Sequence, residues 1–461
     1  MASDSFAPLD LPSTIDIDVT HDAGLAAPAS TGRPYTQRDR EHSFYTLDNP
    51  AVHWNQQQRS SGIIWIKVLS ILSLALFIDV IILTVYVYKG TEPKGYDAIT
   101  HHTSGVPMVT WLPLPEPTTI ITKLAFGSCS NQNQPMPYWD TLVKFKPNVV
   151  VLGGDNVYGD CISMECTKLT QAYQDLHDHP SFQGAQKNLA VVATLDDHDY
   201  GQSDCHGDNP HKDIARSLFL DFFNISDERR DRTNEGVYKS YFWGPKNQVV
   251  QLILLDTRYH RSAFLKSDQP GTAGKEVYMP DFVNHKKQML SQEQWSWLEG
   301  ELNEPANVRI IVSSIQVLAD GHGFECWRML PHERDRFESL LRDKSGTSAT
   351  VIVSGDRHMG GFYENEGLIE VTASSWTHSI PFGTFDDCKN AVECDEKDPI
   401  RAGDMVRVNN FASIEMDWDA RNLTLSLRQT DATQIYRYKH PKDGPLTDAG
   451  EVLQTRTYSI P

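Results

Sequence analysis

Apolar residues in this chain recur in short runs, each closed by a polar or glycine-containing turn. From Ile120 onward they read ITKLAFGSCS, NVVVLGG, LAVVATL, VVQLILLD, VRIIVSS and ATVIVSG. Runs of this length bounded by turn residues predict strands buried on both faces. Between them, residues 213–223 (DIARSLFLDFF) and 291–303 (SQEQWSWLEGELN) predict helices, and Ser291 with Gln294 three residues on forms a capping-box pattern. Toward the carboxyl end, LIEVTAS, FASIEMDW and LTLSLRQ alternate more regularly and predict antiparallel strands. The pattern as a whole predicts an α/β fold with a mixed two-sheet core. We expect one domain over residues 120–435, followed by a carboxyl-terminal extension at 436–461.

The amino-terminal part differs. Residues 68–88 read VLSILSLALFIDVIILTVYVY, apolar with a single charge at Asp79. That length spans a hydrocarbon core of about 30 Å as a helix. The central carboxylate costs about 2.5–3.5 kcal/mol, which the surrounding Ile, Leu, Val and Phe offset. We read residues 62–88 as a single transmembrane signal-anchor helix. A cleaved signal does not fit, because a long polar stretch precedes the run. Residues 1–61, rich in Ser, Thr, Asp, Pro and Gln, read as a disordered cytosolic tail. Residues 89–119 read as a stalk, with a first short strand near Val109. Arg33, Arg38 and Arg40 favour a cytosolic amino side, which puts the catalytic part outside the cytosol or in a lumen. The triplets Asn224-Ile-Ser and Asn422-Leu-Thr are glycan acceptors in that topology.

The chain has 461 residues and a formal net charge of −19. That charge argues against a nucleic-acid-binding surface. It leaves room for phosphate esters at a metal site, because bound cations dominate the local field there.

The chemistry concentrates at strand ends. LGGDNVYGD places Asp155 and Tyr158 after the NVVVLGG run. LDDHDYG places Asp197 and His198 after the LAVVATL run, and SGDRHMGG places Asp356 and His358 after ATVIVSG. Carboxylates and histidines gathered from separate strand ends point to two or more metal ions and hydrolytic chemistry. Asp196 and Asp199 either join the site or support it from behind. His177, His179, His206, His211, His260 and His322 read as surface or supporting residues.

Taken in order, FGSCS, LGGDNVYGD, ATLDDHDYG, LLDTRYHR and SGDRHMGG closely resemble the alkaline phosphatase D (PhoD-like) family of calcineurin-like metallophosphoesterases. The resemblance covers about residues 120–430 and includes FLDFF, QWSWLE, SSIQVL and EVTASS. It implies a four-layer αββα sandwich of two mixed sheets. It implies Fe3+ and Ca2+ as metals, with Cys129 a thiolate ligand and Tyr158 a phenolate ligand to iron. Asp155 would bridge the metals and Asp197 would contact the second one. Asp356 would complete the iron site and His358 the calcium side. His198 would stand beside the leaving group, and Arg258 would hold the phosphoryl oxygens. Bacterial relatives often carry a β-sandwich before this domain, for which the stretch between residues 88 and 120 is too short.

These residue types suit the task. A bridging carboxylate holds two cations about 3.5–4 Å apart for in-line attack on phosphorus. Ferric iron favours phenolate and carboxylate, and calcium accepts oxygen ligands in loose geometry. A histidine donating to the leaving oxygen is typically worth roughly 10²–10⁴ in rate.

Seven cysteines are present. If Cys129 ligates iron, six remain, which allow about 15 pairings; the natural local pairs among them are Cys161–Cys166 and Cys388–Cys394, leaving Cys205 with Cys326. The expected function is membrane-anchored hydrolysis of phosphomonoesters, phosphodiesters or both, for phosphate acquisition. The alternatives are a selective nucleotide or phospholipid diesterase, and a non-catalytic receptor built on the same fold.

Overall fold

Strand alternation decides how this chain layers. In β2 (Val149–Gly153), Val149 and Val151 face one way while Val150 and Leu152 face the other, and all four are buried. A strand apolar on both faces must be covered on both. The computed structural model describes residues 105–225, 236–344, 348–380, 396–430 and 449–461. The proposed tail at 1–61, the apolar segment 62–88 and the Cys388–Cys394 pair lie outside these residues. Among the described residues no helix is long and apolar enough to cross a membrane.

Two six-stranded mixed sheets face each other. In the first, β1 (Lys123–Gly127), β2 and β3 (Val191–Thr194) run parallel. The antiparallel strands β12 (Asn410–Asp417), β13 (Asn422–Gln429) and β14 (Val452–Ser459) continue the sheet beyond β1. In the second, β5 (Val250–Leu254), β8 (Val308–Ser313), β9 (Ala349–Ser354) and β11 (Leu368–Ala373) run parallel. The antiparallel strands β4 (Lys239–Trp243) and β10 (Gly360–Asn365) close its edges. A short ribbon, β6 (Leu265–Lys266) with β7 (Tyr278–Met279), stands apart from both.

Three apolar clusters fill the layers. Leu124, Phe126, Val149 and Val151 meet Leu252, Ile310, Val353 and Val371 between the sheets. Outside the first sheet, Ala125, Val150 and Leu152 pack on α1 (Tyr138–Phe145), α2 (Thr167–Asp178), α3 (Pro180–Gln186) and α5 (Lys212–Phe222), and the single-turn α4 (Asp197–Tyr200) adds Tyr200 to the same cluster. Outside the second, Ile253, Ile311 and Ile352 pack on α6 (Gln292–Glu301) and α7 (Pro331–Lys344) through Trp295, Leu298, Phe337 and Leu341. Each fully buried aliphatic or aromatic side chain stabilises by about 1.5–3 kcal/mol. The αββα order expected from the resemblance is therefore present.

Both anticipated helices form close to their expected limits. Ser291 caps α6, its Oγ accepting from Gln294 N at 3.1 Å. Gln294 does not reciprocate: its side chain pairs with the backbone N–H and carbonyl of Asp256 at 2.9 Å each. It thereby ties the helix to the end of β5.

Three expectations need correction. No strand forms near Val109. Pro107, Pro113, Pro115 and Pro117 supply no N–H to a ladder, and the segment instead packs onto the domain through isolated backbone hydrogen bonds. Val109 N donates to Phe222 O and Leu112 N to Leu189 O, and Val109 is fully buried. The domain therefore begins before Ile120, within what we read as stalk. At the other end, residues 449–461 are no appendage: β14 adds an edge strand and Ile460 enters the inter-sheet core. The third concerns cysteines. Cys161 and Cys166 are bonded, but Cys205 and Cys326 are free thiols. Cys326 is sealed in the apolar cluster beneath the second sheet.

Candidate metal centre

The carboxyl ends of the parallel strands in both sheets meet at one edge. Ser128 N donates to Ala373 O, and Trp376 N donates back to Ser128 O, both at 3.1 Å. Thr194 Oγ1 donates to Leu255 O at 3.0 Å. The turn after each of these strands therefore empties into a common space. Cys129 (φ 63°), Asp155 (φ 48°), Asp160 (φ 51°), Asp356 (φ 72°) and His358 (φ 51°) adopt left-handed backbone there. Non-glycine residues in this region cost of order 1 kcal/mol each and cluster at functional sites. Gly154 (φ 106°) makes the close approach possible: a Cβ there would lie 2.5 Å from Asp196 Cβ.

Two groups of ligating atoms form. In the first, Cys129, Asp155 and His358 offer atoms within 4.8 Å of one another. The Tyr158 hydroxyl donates to Asp155 Oδ2 at 3.2 Å. It also lies 3.0 Å from His358 Nε2 and 3.3 Å from His378 Nε2, which are themselves 3.2 Å apart. In the second, Asp155 joins Asp197 and His198, and Asp197 joins Asp196 and Asp356. Asp155 belongs to both groups. His198 is oriented from two sides: its Nδ1 lies 2.7 Å from Asp160 Oδ1, and its ring packs on Tyr158 at 4.3 Å.

A model of the PhoD-like phosphatase family aligns with residues 124–424. The chain belongs to the PhoD-like phosphatase family. It is accordingly a metal-dependent phosphoester hydrolase. The solved structure of PhoD superposes with a TM-score of 0.59 at 15% identity, covering 75% of this chain and 72% of that one. That likeness shows the shared fold. GAP50, described as the anchor in the inner membrane complex of Plasmodium, covers 74% of this chain and 90% of its own at 13% identity, with a TM-score of 0.45. No curated protein sequence matches the chain.

The donor set fits the metals a PhoD-like phosphatase requires. Burial pushes the Asp155 carboxyl well above its ordinary range, and the neighbouring Asp197 adds to the effect. Burial raises Asp356 in the same way, reinforced by Asp196. Burial drives the Cys129 thiol up to about 12, against hydrogen bonds from Ser128 and Ser374. Burial holds His358 down at about 3 and His378 at about 4, so both imidazoles are neutral and carry lone pairs. Asp197 alone among these carboxylates is lowered: burial opposes it, but Arg258 and His198 outweigh that and hold it at about 2. Anionic and lone-pair groups packed this tightly repel one another until a cation sits among them. Asp196 Oδ2, buried and without a hydrogen-bond partner, adds to the demand.

Two placements differ from expectation. The resemblance led us to expect Asp356 beside Cys129 and His358 on the second side. In the structure His358 groups with Cys129, and Asp356 with Asp196 and Asp197. Ser374 explains the first, since its Oγ accepts from His358 N at 2.8 Å and lies 3.2 Å from Cys129 Sγ. Arg258 is not exposed to a phosphoryl group. It is fully buried, donating from Nε to Asp196 and from Nη1 to Glu325, both at 2.5 Å. Its Nη2 faces Asp197 and Asp356 at 3.9 Å each. It lies beneath the carboxylates and balances their charge.

Sequence reasoning passed over His378, Asp160, Asp204 and Glu325. Asp204 N donates to Asp197 Oδ2 at 2.7 Å, and Asp204, Glu325 and Asp197 form a further acidic group. His378 follows β11 in the turn SWTHS, a strand-end position like the others. That position was the available signal for it.

The raised carboxylates predict how the chelated protein responds to pH. Asp155 and Asp356 are raised, and burial brings Asp199, Glu325 and Glu370 each to about 7. Each therefore binds its proton more tightly folded than unfolded. Their stabilisation is complete below about pH 4; that of Asp199, Glu325 and Glu370 is lost as pH rises through about 7, and that of Asp155 and Asp356 as pH rises through their raised values. His358, His378 and His322 act in the opposite sense between their lowered values and 6.5, but the carboxylates outnumber them. The chelated protein should melt several degrees higher at pH 5.5 than at pH 7.5, on the order of 1–2 kcal/mol in stability. The metal-loaded protein should show a smaller or reversed difference in the same calorimetric scan. A chelated protein more stable at pH 7.5 would refute the carboxylate assignment.

Proposed function

We propose that this PhoD-like phosphatase is a membrane-anchored enzyme, its catalytic domain outside the cytosol, that hydrolyses phosphomonoesters, phosphodiesters or both to release phosphate. The observation that carries the reading is the position of Asp155. It lies between a thiol, phenol and imidazole group on one side and a carboxylate group on the other. The first set suits Fe3+, held by Cys129, Asp155, Tyr158 and His358. The second suits Ca2+, held by Asp155, Asp197 and Asp356 with Asp196 behind. Bound there, the cations would supply an activated water and positive charge for the phosphoryl oxygens. The chain's own residues do the rest. His198, held by Asp160, is placed to give a proton to the departing alcohol. Arg258 keeps Asp197 ionised from below.

The anchor reading rests on the apolar run at residues 68–88 and on the Cys161–Cys166 bridge, which favours an oxidising compartment. Asn224 is exposed and available as a glycan acceptor. Two measurements test the proposal. Concentrated, active enzyme should be coloured by phenolate bound to ferric iron and should contain iron and calcium by elemental analysis. Colourless, iron-free and fully active protein would remove the roles given to Cys129 and Tyr158. Treatment with a glycan-removing enzyme should raise electrophoretic mobility, and an unchanged band would argue against the topology.

A further inference from the structure

A pocket of about 460 Å³ opens beside the metal centre, and its position and lining allow a statement about substrate. Asp204 belongs to both spaces: it lines the pocket, and its N–H holds Asp197. Cys161, also in the wall, directly follows Asp160, the residue that orients His198. The pocket therefore adjoins the metal centre where Asp204 holds Asp197 and Asp160 holds His198. Ten of its sixteen lining residues carry hydrogen-bonding side chains. Its formal charges cancel, with Asp204 and Asp208 against Arg261 and Lys266.

Part of this wall is braced. Tyr278 donates to Asp204 Oδ2 at 2.6 Å and accepts from Lys266 Nζ at 3.0 Å. Arg261 Nη2 donates to Asp204 O, Cys205 O and Glu325. A wall braced against the residues that hold Asp197 can orient what it binds relative to the metals.

We propose that this pocket receives the alcohol portion of the ester, and that it selects a neutral, polyhydroxylated alcohol such as a sugar. The inference rests on the phosphoesterase reading and deepens it. A second charged group of either sign would meet like charge in the wall, Asp204 and Asp208 or Arg261 and Lys266. A plain alkyl chain would leave the donors and acceptors of the wall unpaired. A volume within the usual range of small-molecule sites holds a hexose-sized group.

The test compares three monoesters on the full metal-loaded chain: glucose 6-phosphate, hexyl phosphate and ethyl phosphate. Wild-type kcat/KM should favour glucose 6-phosphate over hexyl phosphate by about tenfold or more. Ala263→Trp, at a half-buried wall position, fills the pocket. It should cut kcat/KM for glucose 6-phosphate about tenfold and change ethyl phosphate less than twofold. Gln202→Ala, at an exposed wall position, provides an independent check in the same direction, about threefold. A preference for hexyl phosphate, or equal losses on glucose and ethyl esters in both variants, would overturn the pocket assignment. Wild-type enzyme inactive on all three esters but active on bis(p-nitrophenyl) phosphate would also overturn the pocket assignment, and inactivity on that diester as well would instead overturn the phosphoesterase reading.

Discussion

Asp155→Asn is expected to lower kcat/KM on p-nitrophenyl phosphate by at least about 10³-fold, equivalent to roughly 4 kcal/mol of transition-state stabilisation. The side chain belongs to both ligand groups, so one substitution weakens both metal positions. The replacement is close in size, and asparagine tolerates the left-handed backbone that Asp155 adopts at φ 48°. The fold should therefore survive. Burial already disfavours the Asp155 charge, so the chelated variant should melt no lower than the chelated wild type at pH 7.5. Elemental analysis should show reduced metal content. Unchanged turnover with full metal content would refute the shared position assigned to Asp155.

Arg258→Met is expected to destabilise the protein by about 3–5 kcal/mol, the cost of leaving buried charge unpaired. Methionine replaces the aliphatic stem but none of the donors. Asp196 loses its bond to Nε, and Glu325 loses one of its two arginines, keeping Arg261. Lysine should rescue poorly, because a point charge cannot reach Asp196, Glu325 and Cys205 O along the separate directions the guanidinium uses. Urea unfolding of the metal-loaded protein measures the loss. A change below about 1 kcal/mol would show that water or rearrangement satisfies the carboxylates, and would remove the charge-balancing role.

The two substitutions probe different kinds of legibility. Asp155 could be found in the sequence because a strand of valines ends in two glycines and a carboxylate, a local pattern. Arg258 could be found only as a conspicuous residue in LLDTRYHR. Its role was misjudged because no local pattern reports that Asp196 and Glu325, 62 and 67 residues away, enclose it on both sides. The same limit explains Asp356 and His358. Their spacing marks a ligand turn, but which way each side chain leaves that turn depends on positive φ at both residues and on Ser374 holding His358 N. His378 lacked a flanking carboxylate and gave no comparable signal, though Tyr158 and His358 surround it in space.

At the chain ends the reading failed for a related reason. Prolines and low periodicity made residues 105–119 look like linker, yet Val109 is buried and Trp111 packs against Trp139 and Phe182. Strand β14 alternates exposed and half-buried residues, with little apolar content to announce it. It forms because β13 offers an unpaired edge, a feature belonging to the sheet and not to the strand.

What could be known from residues alone was what period and turn chemistry encode: buried strands, the helices between them, and acids and histidines at strand ends. These are local quantities, set by side-chain alternation and by backbone preferences within a few residues. Tertiary structure alone decided which strand ends meet, how the ligands divide around Asp155, and that Arg258 lies beneath them. Those outcomes depend on the registry of two sheets and on charge burial among residues hundreds of positions apart, and no window of sequence contains both partners.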